Sequence, residues 1–276
     1  DEAKRAEEDA DKSLFKSVLD LVSPLIKTLI SFLPDNKKIR DDHIKVGHCE
    51  SSYFNRKTNS IVISADVRTE KEFKGNACHE MGHALYNSII IRRRSFFEYM
   101  AGKEIYWTVK PEHQDWLKIF ALSLGNHNYE IFDDSTYEPG NDDASGHPFD
   151  NPSEFFASAV RTFVLDPDKL ISFITNSNTS PAQRKLGILV YHYLRDKVFN
   201  GIFVDGTFYG KNTLQYNKVE GSRWVSPSSW EDVKGLITDY ELKNSLSDAL
   251  RNKEEYIDHD IRHNARRLKR ILELKI

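Results

Sequence analysis

The residues best suited to chemistry form the pentapeptide His79-Glu80-Met81-Gly82-His83, which lies in a segment with helical periodicity. Two histidines four positions apart lie one turn above each other on the same face of a helix. Neutral imidazole nitrogens are good zinc ligands, and this spacing lets both rings reach one ion. A glutamate beside the first ligand can take a proton from a water on that ion and pass it to a leaving amine. The pattern therefore predicts metal-assisted hydrolysis of a peptide bond.

The sequence around the pentapeptide supports a helix. Residues Thr69 and Glu72 have the spacing of a capping box, so the helix should begin near Glu70. Apolar residues then recur at helical spacing as far as Leu85. Gly82 weakens a helix but leaves room for a close neighbour. A buried helix with two histidines and a glutamate needs a reason, because unpaired buried polar groups are costly. The alternative to a metal site is a pair of hydrogen-bonded histidines.

A catalytic zinc usually has three protein ligands and one water, so a third ligand should come from a later part of the chain. The strongest candidate is Glu154, in the first turn of an apolar helix with Asn151 as its N-cap and Pro152 at its first position. The other interpretation is that Glu154 only stabilises the N-terminus of that helix. Weaker candidates for the third ligand are Glu130, Asp133 and Asp134.

A second pair of histidines four residues apart, His259 and His263, surrounds Asp260. Aspartate is one methylene shorter than glutamate and would lie further from a water on the metal. Basic residues also flank this pair on the predicted helix. We therefore interpret it as a solvated helix face and not as a second metal site.

Three segments together resemble the gluzincin metallopeptidases, in particular the catalytic domain of the anthrax lethal-factor-like family, which includes the Pro-Pro endopeptidases. They are the predicted strand 60–63, the motif helix 78–84 and the helix segment 154–157, and the resemblance covers about residues 45–170. It implies a zinc-dependent endopeptidase of protein substrates, in which His79, His83 and Glu154 bind the Zn²⁺ ion and Glu80 is the general base. It also implies a toxin or effector that is secreted or delivered into a host cell.

One position departs from the family pattern. The family has a tyrosine seven residues before the ligand glutamate, where it stabilises the oxyanion, and this chain has His147 there. A histidine can also donate a hydrogen bond to an oxyanion. The resemblance therefore implies that His147 has this role, with Tyr137 as the alternative donor. The other interpretation of His147 is an exposed loop residue.

Composition limits the remaining function classes. The chain has 276 residues and a net charge of −3, which argues against a general role in binding nucleic acids or membranes. No run of about 18 uncharged apolar residues occurs, so no transmembrane segment is expected. The basic run 92–94 is interpreted as a solvated surface, with recognition of an acidic partner as the alternative. The two cysteines, Cys49 and Cys78, form no disulfide framework; we interpret Cys78 as a small buried helix residue, and pairing of the two stays open.

The predicted elements indicate an α+β, mostly helical fold of the zincin type, with a small sheet beside the motif helix and a helical C-terminal extension. Residues 1–44 should form an amphipathic helical segment packed on the domain, 45–175 the catalytic core, and 176–276 a mainly helical region that could dock a partner. The predicted strand 60–67 could be a sheet edge to which an extended peptide adds. One long helix is predicted from about Tyr240 to the end. The alternative function is a non-catalytic zincin-fold binding protein with a structural zinc.

Overall fold

The structure is a computed structural model that describes residues 2–67, 69–126, 132, 148–201, 203–204, 214–215, 229–251 and 258–274. These residues form a mostly helical structure with a small three-stranded sheet, which confirms the prediction of a mostly helical α+β fold. The zincin-type fold stays a prediction. Within the described ranges, no helix combines the length and the hydropathy that crossing a bilayer requires.

The elements follow one another in the order α1 (Glu2–Ile30), β1 (Ile44–Gly47), β2 (Tyr53–Asn55), β3 (Ser60–Ser64), α2 (Glu70–Leu85), α3 (Phe96–Met100), α4 (Gln114–Asn126), α5 (Pro152–Leu165), α6 (Pro167–Thr175), α7 (Pro181–Tyr193), β4 (Phe203–Val204), β5 (Leu214–Gln215), α8 (Trp230–Val233), α9 (Asp239–Arg251) and α10 (Asp258–Ile271). Single π-helical turns extend α2 over Tyr86–Ile90 and α7 over Leu194–Val198.

The sheet has the strand order β1-β3-β2, with β1 parallel and β2 antiparallel to β3. The expectation that β3 is a sheet edge is therefore wrong. Ile61 and Ile63 are fully buried, as expected for a central strand, whereas β1 and β2 are short and show weaker alternation. The edge strands are β1 and β2, and of these β2 packs against the motif helix α2 together with β3.

Helix α1 packs on α2 and β1, as the sequence predicts for an amphipathic N-terminal helix. Its buried stripe has helical spacing and consists of Val18, Val22, Leu25, Ile26 and Leu29. Because these side chains lie inside the main core, α1 is an integral part of the domain and not a separate arm.

The single long C-terminal helix of the sequence prediction is wrong. The structure has two helices, α9 and α10, which pack against each other and against α4. Each buries its own apolar stripe, through Leu242 and Leu246 in α9 and through Ile261 and Leu268 in α10. Two consecutive amphipathic helices of this kind have the same periodicity as one long helix, so the pattern alone does not reveal the break.

Helix α10 also contacts the chain just before α5. The side-chain amide of Asn264 is buried and donates to the carbonyl oxygens of Phe149 (2.7 Å) and Asp150 (2.9 Å). Residues from all three predicted regions share one hydrophobic core. The division at 44 and 175 stays a prediction, and so does the docking of a partner through 176–276.

Candidate metal centre

Helix α2 begins where the sequence predicts. Thr69 is its N-cap, and its hydroxyl accepts from the backbone N–H of Glu72 at 3.2 Å. The Glu72 carboxylate accepts in return from the Thr69 backbone N–H at 2.8 Å, which completes the capping box. The fixed start sets the rotation of the helix, so His79 and Glu80 lie only 7% exposed in its second half.

Helix α5 is positioned in the same way from the other side of the site. The side-chain oxygen of Asn151 accepts from the backbone N–H groups of Ser153 (2.8 Å) and Glu154 (3.1 Å). Pro152 occupies the first helical position, where its missing N–H has no cost. Glu154 therefore lies in the first turn, as predicted, and its carboxylate points towards α2.

A close approach of α2 and α5 brings the two halves of the site together. A Cβ atom at Gly82 would lie 2.6 Å from the Cα of Ala157, a distance that real side chains do not tolerate. The glycine between Met81 and His83 is thus required at this crossing. The sequence expectation that Gly82 leaves room for a neighbour is confirmed, and the neighbour is α5, the helix that contains Glu154.

His79, His83 and Glu154 meet at one point. The Nε2 atoms of His79 and His83 lie 3.1 Å and 3.2 Å from the same carboxylate oxygen of Glu154. The two rings are nearly perpendicular, with centroids 4.8 Å apart. One candidate ligand atom from each residue lies within 4.8 Å of the other two, so this group could hold a metal ion.

The donor set fits a metal such as zinc. Two imidazole nitrogens and one carboxylate oxygen are a usual ligand combination for catalytic zinc. The second nitrogen of His83, Nδ1, lies 2.9 Å from the hydroxyl of Ser153, which fixes the ring with Nε2 towards Glu154. The Nδ1 atom of His79 is buried and meets no hydrogen-bond partner among the described residues.

Charge coupling between His83 and Glu154 shows that the pocket favours a cation. Burial alone would lower the pKa of His83, but the Glu154 charge and its hydrogen bond raise that pKa to about 9. Burial would likewise raise the pKa of Glu154, and the His83 charge with the two histidine hydrogen bonds holds it far below its usual range. The same carboxylate charge that raises the pKa of His83 would stabilise a metal cation between the two histidines and Glu154.

The pKa of Glu80 is shifted in the opposite direction from that of Glu154. Burial raises the pKa of its carboxyl, and the nearby Glu154 adds to the increase. The histidine charges and a hydrogen bond with the Phe54 backbone oppose it without reversing it. A carboxyl whose charged form is disfavoured by burial is a stronger base than an exposed one, which suits a group that takes a proton from water.

These side chains line a cavity of about 700 Å³. The residues 52–57, which contain the edge strand β2, form one wall. The metal group and Glu80 form another, and Tyr86, Asn87, Ile91, Ile105, Tyr106 and Asp150 complete the lining. If the three candidate ligands held a metal, the open cavity beside them would leave its fourth position accessible, whereas structural zinc sites are closed by four protein ligands.

Replacing Ser153 by alanine should weaken zinc binding by about 10- to 100-fold, because the His83 ring would lose the hydroxyl that fixes its orientation. Titration of the metal-free protein with zinc in the presence of a competing chelator measures the change. Ser95→Ala, at another helix cap, is the matched control and should leave zinc affinity unchanged. Equal affinities for wild type and Ser153→Ala would show that Ser153 has no role in holding His83.

Several sequence-predicted residues lie outside the described ranges. They are the proposed oxyanion donors His147 and Tyr137 and the weaker ligand candidates Glu130, Asp133 and Asp134. The side chain of His259 is also outside them, and His263 is exposed on α10. The assignments of His147 and Tyr137 therefore stay predictions.

Two parts of the site were missed in the sequence. Ser153 was assigned no role, although a serine directly before the ligand glutamate could have suggested a partner for one of the histidines. The wall formed by β2 was missed because Tyr53–Asn55 is too short for recognisable alternation. Cys78 is buried in α2, as interpreted, and burial raises the pKa of its thiol; the pairing that the sequence left open does not occur, because both cysteines are free.

Comparison with known proteins adds no relative: no family model, no curated protein and no solved structure matches this chain.

Proposed function

We propose that this protein is a zinc-dependent endopeptidase of the gluzincin type, with His79, His83 and Glu154 as zinc ligands and Glu80 as general base. One observation carries the proposal. The Nε2 atoms of two histidines on α2 converge on a single carboxylate oxygen from α5, beside a cavity that also contains a buried glutamate with a raised pKa. Each of these parts occurs in proteins without a metal, but their combination is what hydrolysis of a peptide bond requires.

A bound zinc ion would supply Lewis-acid chemistry, by polarising the scissile carbonyl and lowering the pKa of a coordinated water to about 7. Glu80 accepts the proton of the attacking water and then donates it to the amine that leaves. Its burial helps twice, because the raised pKa makes the carboxylate a stronger base towards the water and the low-dielectric surroundings strengthen its interaction with the reacting groups. Ser153 holds the His83 ring in place through its Nδ1 atom.

The edge strand β2 gives the substrate a place to bind. Its residues line the cavity beside Glu80, and only β3 pairs with it among the described strands. An extended peptide can add to such an edge through main-chain hydrogen bonds, with its scissile bond over the metal group. The proposal therefore includes an extended segment of a protein as the substrate, bound along Tyr53–Asn55.

The alternative is a zincin-fold binding protein whose zinc is only structural. The open cavity beside the three ligands and the position of Glu80 in its wall favour the catalytic alternative. A structural zinc site would gain no stability from Glu80 in the cavity wall, because burial of an extra carboxyl group is unfavourable.

The proposal is tested by metal removal. Protein treated with a chelator should lose cleavage of an unbiased peptide library, and stoichiometric zinc should restore it, because zinc is needed to activate the water. Cleavage sites are read by mass spectrometry, and magnesium at the same concentration serves as the control. Zinc-loaded protein that cleaves no member of the library, or a chelator that leaves cleavage intact, would contradict the proposal.

A further inference from the structure

Between the motif helix and α4, the chain exposes four large apolar side chains on one short helix. In α3, Phe96 is 71% exposed, Phe97 81%, Tyr99 61% and Met100 66%. Exposed apolar residues normally occur singly on a protein surface, and a cluster of this kind marks a site of interaction. We call residues 92–104 the aromatic-basic loop.

The apolar side chains share one half of α3. At about 100° per residue, the four of them span roughly half of the helix circumference, and Glu98 lies on the opposite side. There Glu98 accepts two hydrogen bonds from Arg92 (2.9 and 2.7 Å) and pairs with the Lys103 amine at 3.0 Å. These contacts hold the Glu98 side of α3 against the rest of the loop, so the apolar side of the helix faces solvent.

The loop is ordered by further contacts within itself. Ser95 and Glu98 form a capping box, and the Arg94 guanidinium donates to the carbonyl oxygen of Lys103 at 2.7 Å. The same guanidinium lies over the ring of Tyr99, 5.1 Å from its centroid. The exposed apolar residues are therefore presented by a defined structure and not by a loop that could fold them inward.

The charges around the apolar tip are predominantly basic. The loop contains four basic and two acidic residues. Both acids are paired, Glu98 as described and Glu104 with Arg267 of α10 at 2.6 Å. That ion pair places the loop beside α10, where Arg266 and Arg270, four positions apart on one helix face, are exposed. An apolar tip within a basic surround complements a bilayer with anionic headgroups, into whose interface aromatic and methionine side chains insert.

We propose that the aromatic-basic loop docks the protein on an anionic lipid surface, with Phe96, Phe97, Tyr99 and Met100 inserted among the headgroups. The net charge of −3 does not oppose this, because the relevant field is that of the local basic surface within a Debye length of the membrane. The four exposed apolar side chains favour a lipid surface over a soluble acidic partner, because a partner that is recognised by charge alone would not require them.

Docking would bring the cavity close to the membrane. The loop begins and ends at cavity-lining residues, with Ile91 at one end and Ile105 and Tyr106 at the other. Backbone pairing of Arg92 with Thr108 at 2.8 Å closes its base. If the proposed peptidase function holds, the preferred substrates are extended segments that lie next to a membrane; this consequence rests on that function, whereas lipid binding does not.

Vesicle co-sedimentation tests the proposal without any cleavage reaction. The wild type should bind phosphatidylcholine vesicles that contain phosphatidylserine, bind phosphatidylcholine alone more weakly, and dissociate as salt is raised. The double variant Phe96→Ser/Phe97→Ser should lose at least about tenfold in binding, because two rings no longer insert. Tyr240→Ser, which alters another exposed aromatic on α9, is the matched control and should bind as the wild type does.

A second measurement locates the contact. In Phe97→Trp the added fluorescence should be quenched by brominated lipids, whereas the quenching of Tyr240→Trp should not exceed the background of the four native tryptophans. Absence of binding to phosphatidylserine vesicles, or equal binding by wild type and the double variant, would overturn the proposal. So would a double variant that binds vesicles normally but cleaves soluble peptides differently, since the loop would then contact substrate. A wild-type protein that binds these vesicles but cleaves no peptide would refute only the peptidase function.

Discussion

Glu80→Gln should lose about 10²- to 10⁴-fold in peptide cleavage while it keeps one zinc ion per chain. Glutamine has nearly the same shape but cannot take a proton from the attacking water or return one to the amine. Burial raises the pKa of the Glu80 carboxyl and so disfavours its charged form, and an uncharged amide of the same shape therefore adds no desolvation cost in the interior. Cleavage is measured as kcat/KM on the fastest library peptide, and zinc content by elemental analysis.

The matched control for this variant is Glu70→Gln, which alters a glutamate at the exposed start of the same helix. It should cleave at the wild-type rate. Full activity of Glu80→Gln would end the assignment of Glu80 as general base. Loss of both zinc and activity would show that Glu80 holds the metal, which would also contradict the assignment.

Glu154→Ala should lose at least about 100-fold in zinc affinity and with it nearly all cleavage, because only two of three protein ligands remain. The loss should exceed that of Ser153→Ala, since one variant removes a ligand and the other only its support. The variant also leaves His83 without the carboxylate that raises its pKa to about 9, so His83 should titrate at lower pH in the metal-free variant. Competitive zinc titration gives the affinity, and NMR of the imidazole protons gives the pKa.

Glu112→Ala, at an exposed turn before α4, is the control for this second variant and should bind zinc as the wild type does. Folding is compared by circular dichroism, so that loss of zinc is not confused with loss of structure. Wild-type zinc affinity in a folded Glu154→Ala protein would mean that the third ligand is another residue.

The parts of the fold that sequence predicts well are those fixed by local contacts. The capping box at Thr69 and the Asn151-Pro152 start of α5 each satisfy the free N–H groups of a helix within four residues, so both helix starts are visible in the sequence. The ligand group follows from these starts, because the register of each helix then decides which face carries His79, His83 and Glu154.

The parts that sequence does not predict depend on contacts distant along the chain. The central position of β3 depends on its pairing with β1 and β2, neither of which has a clear pattern of its own. The break between α9 and α10 is set by their packing against each other and α4. The exposure of Phe96 and Phe97 could not be read from composition, because two adjacent phenylalanines normally indicate a buried segment.

The proposed metal centre requires that three side chains share one ion. The most direct test is an anomalous difference map from crystals of the zinc-loaded protein, recorded above and below the zinc absorption edge. We expect a single strong peak at bonding distance, about 2.0–2.2 Å, from Nε2 of His79, Nε2 of His83 and a carboxylate oxygen of Glu154. A peak elsewhere, or a zinc ion bound without Glu154, would contradict it.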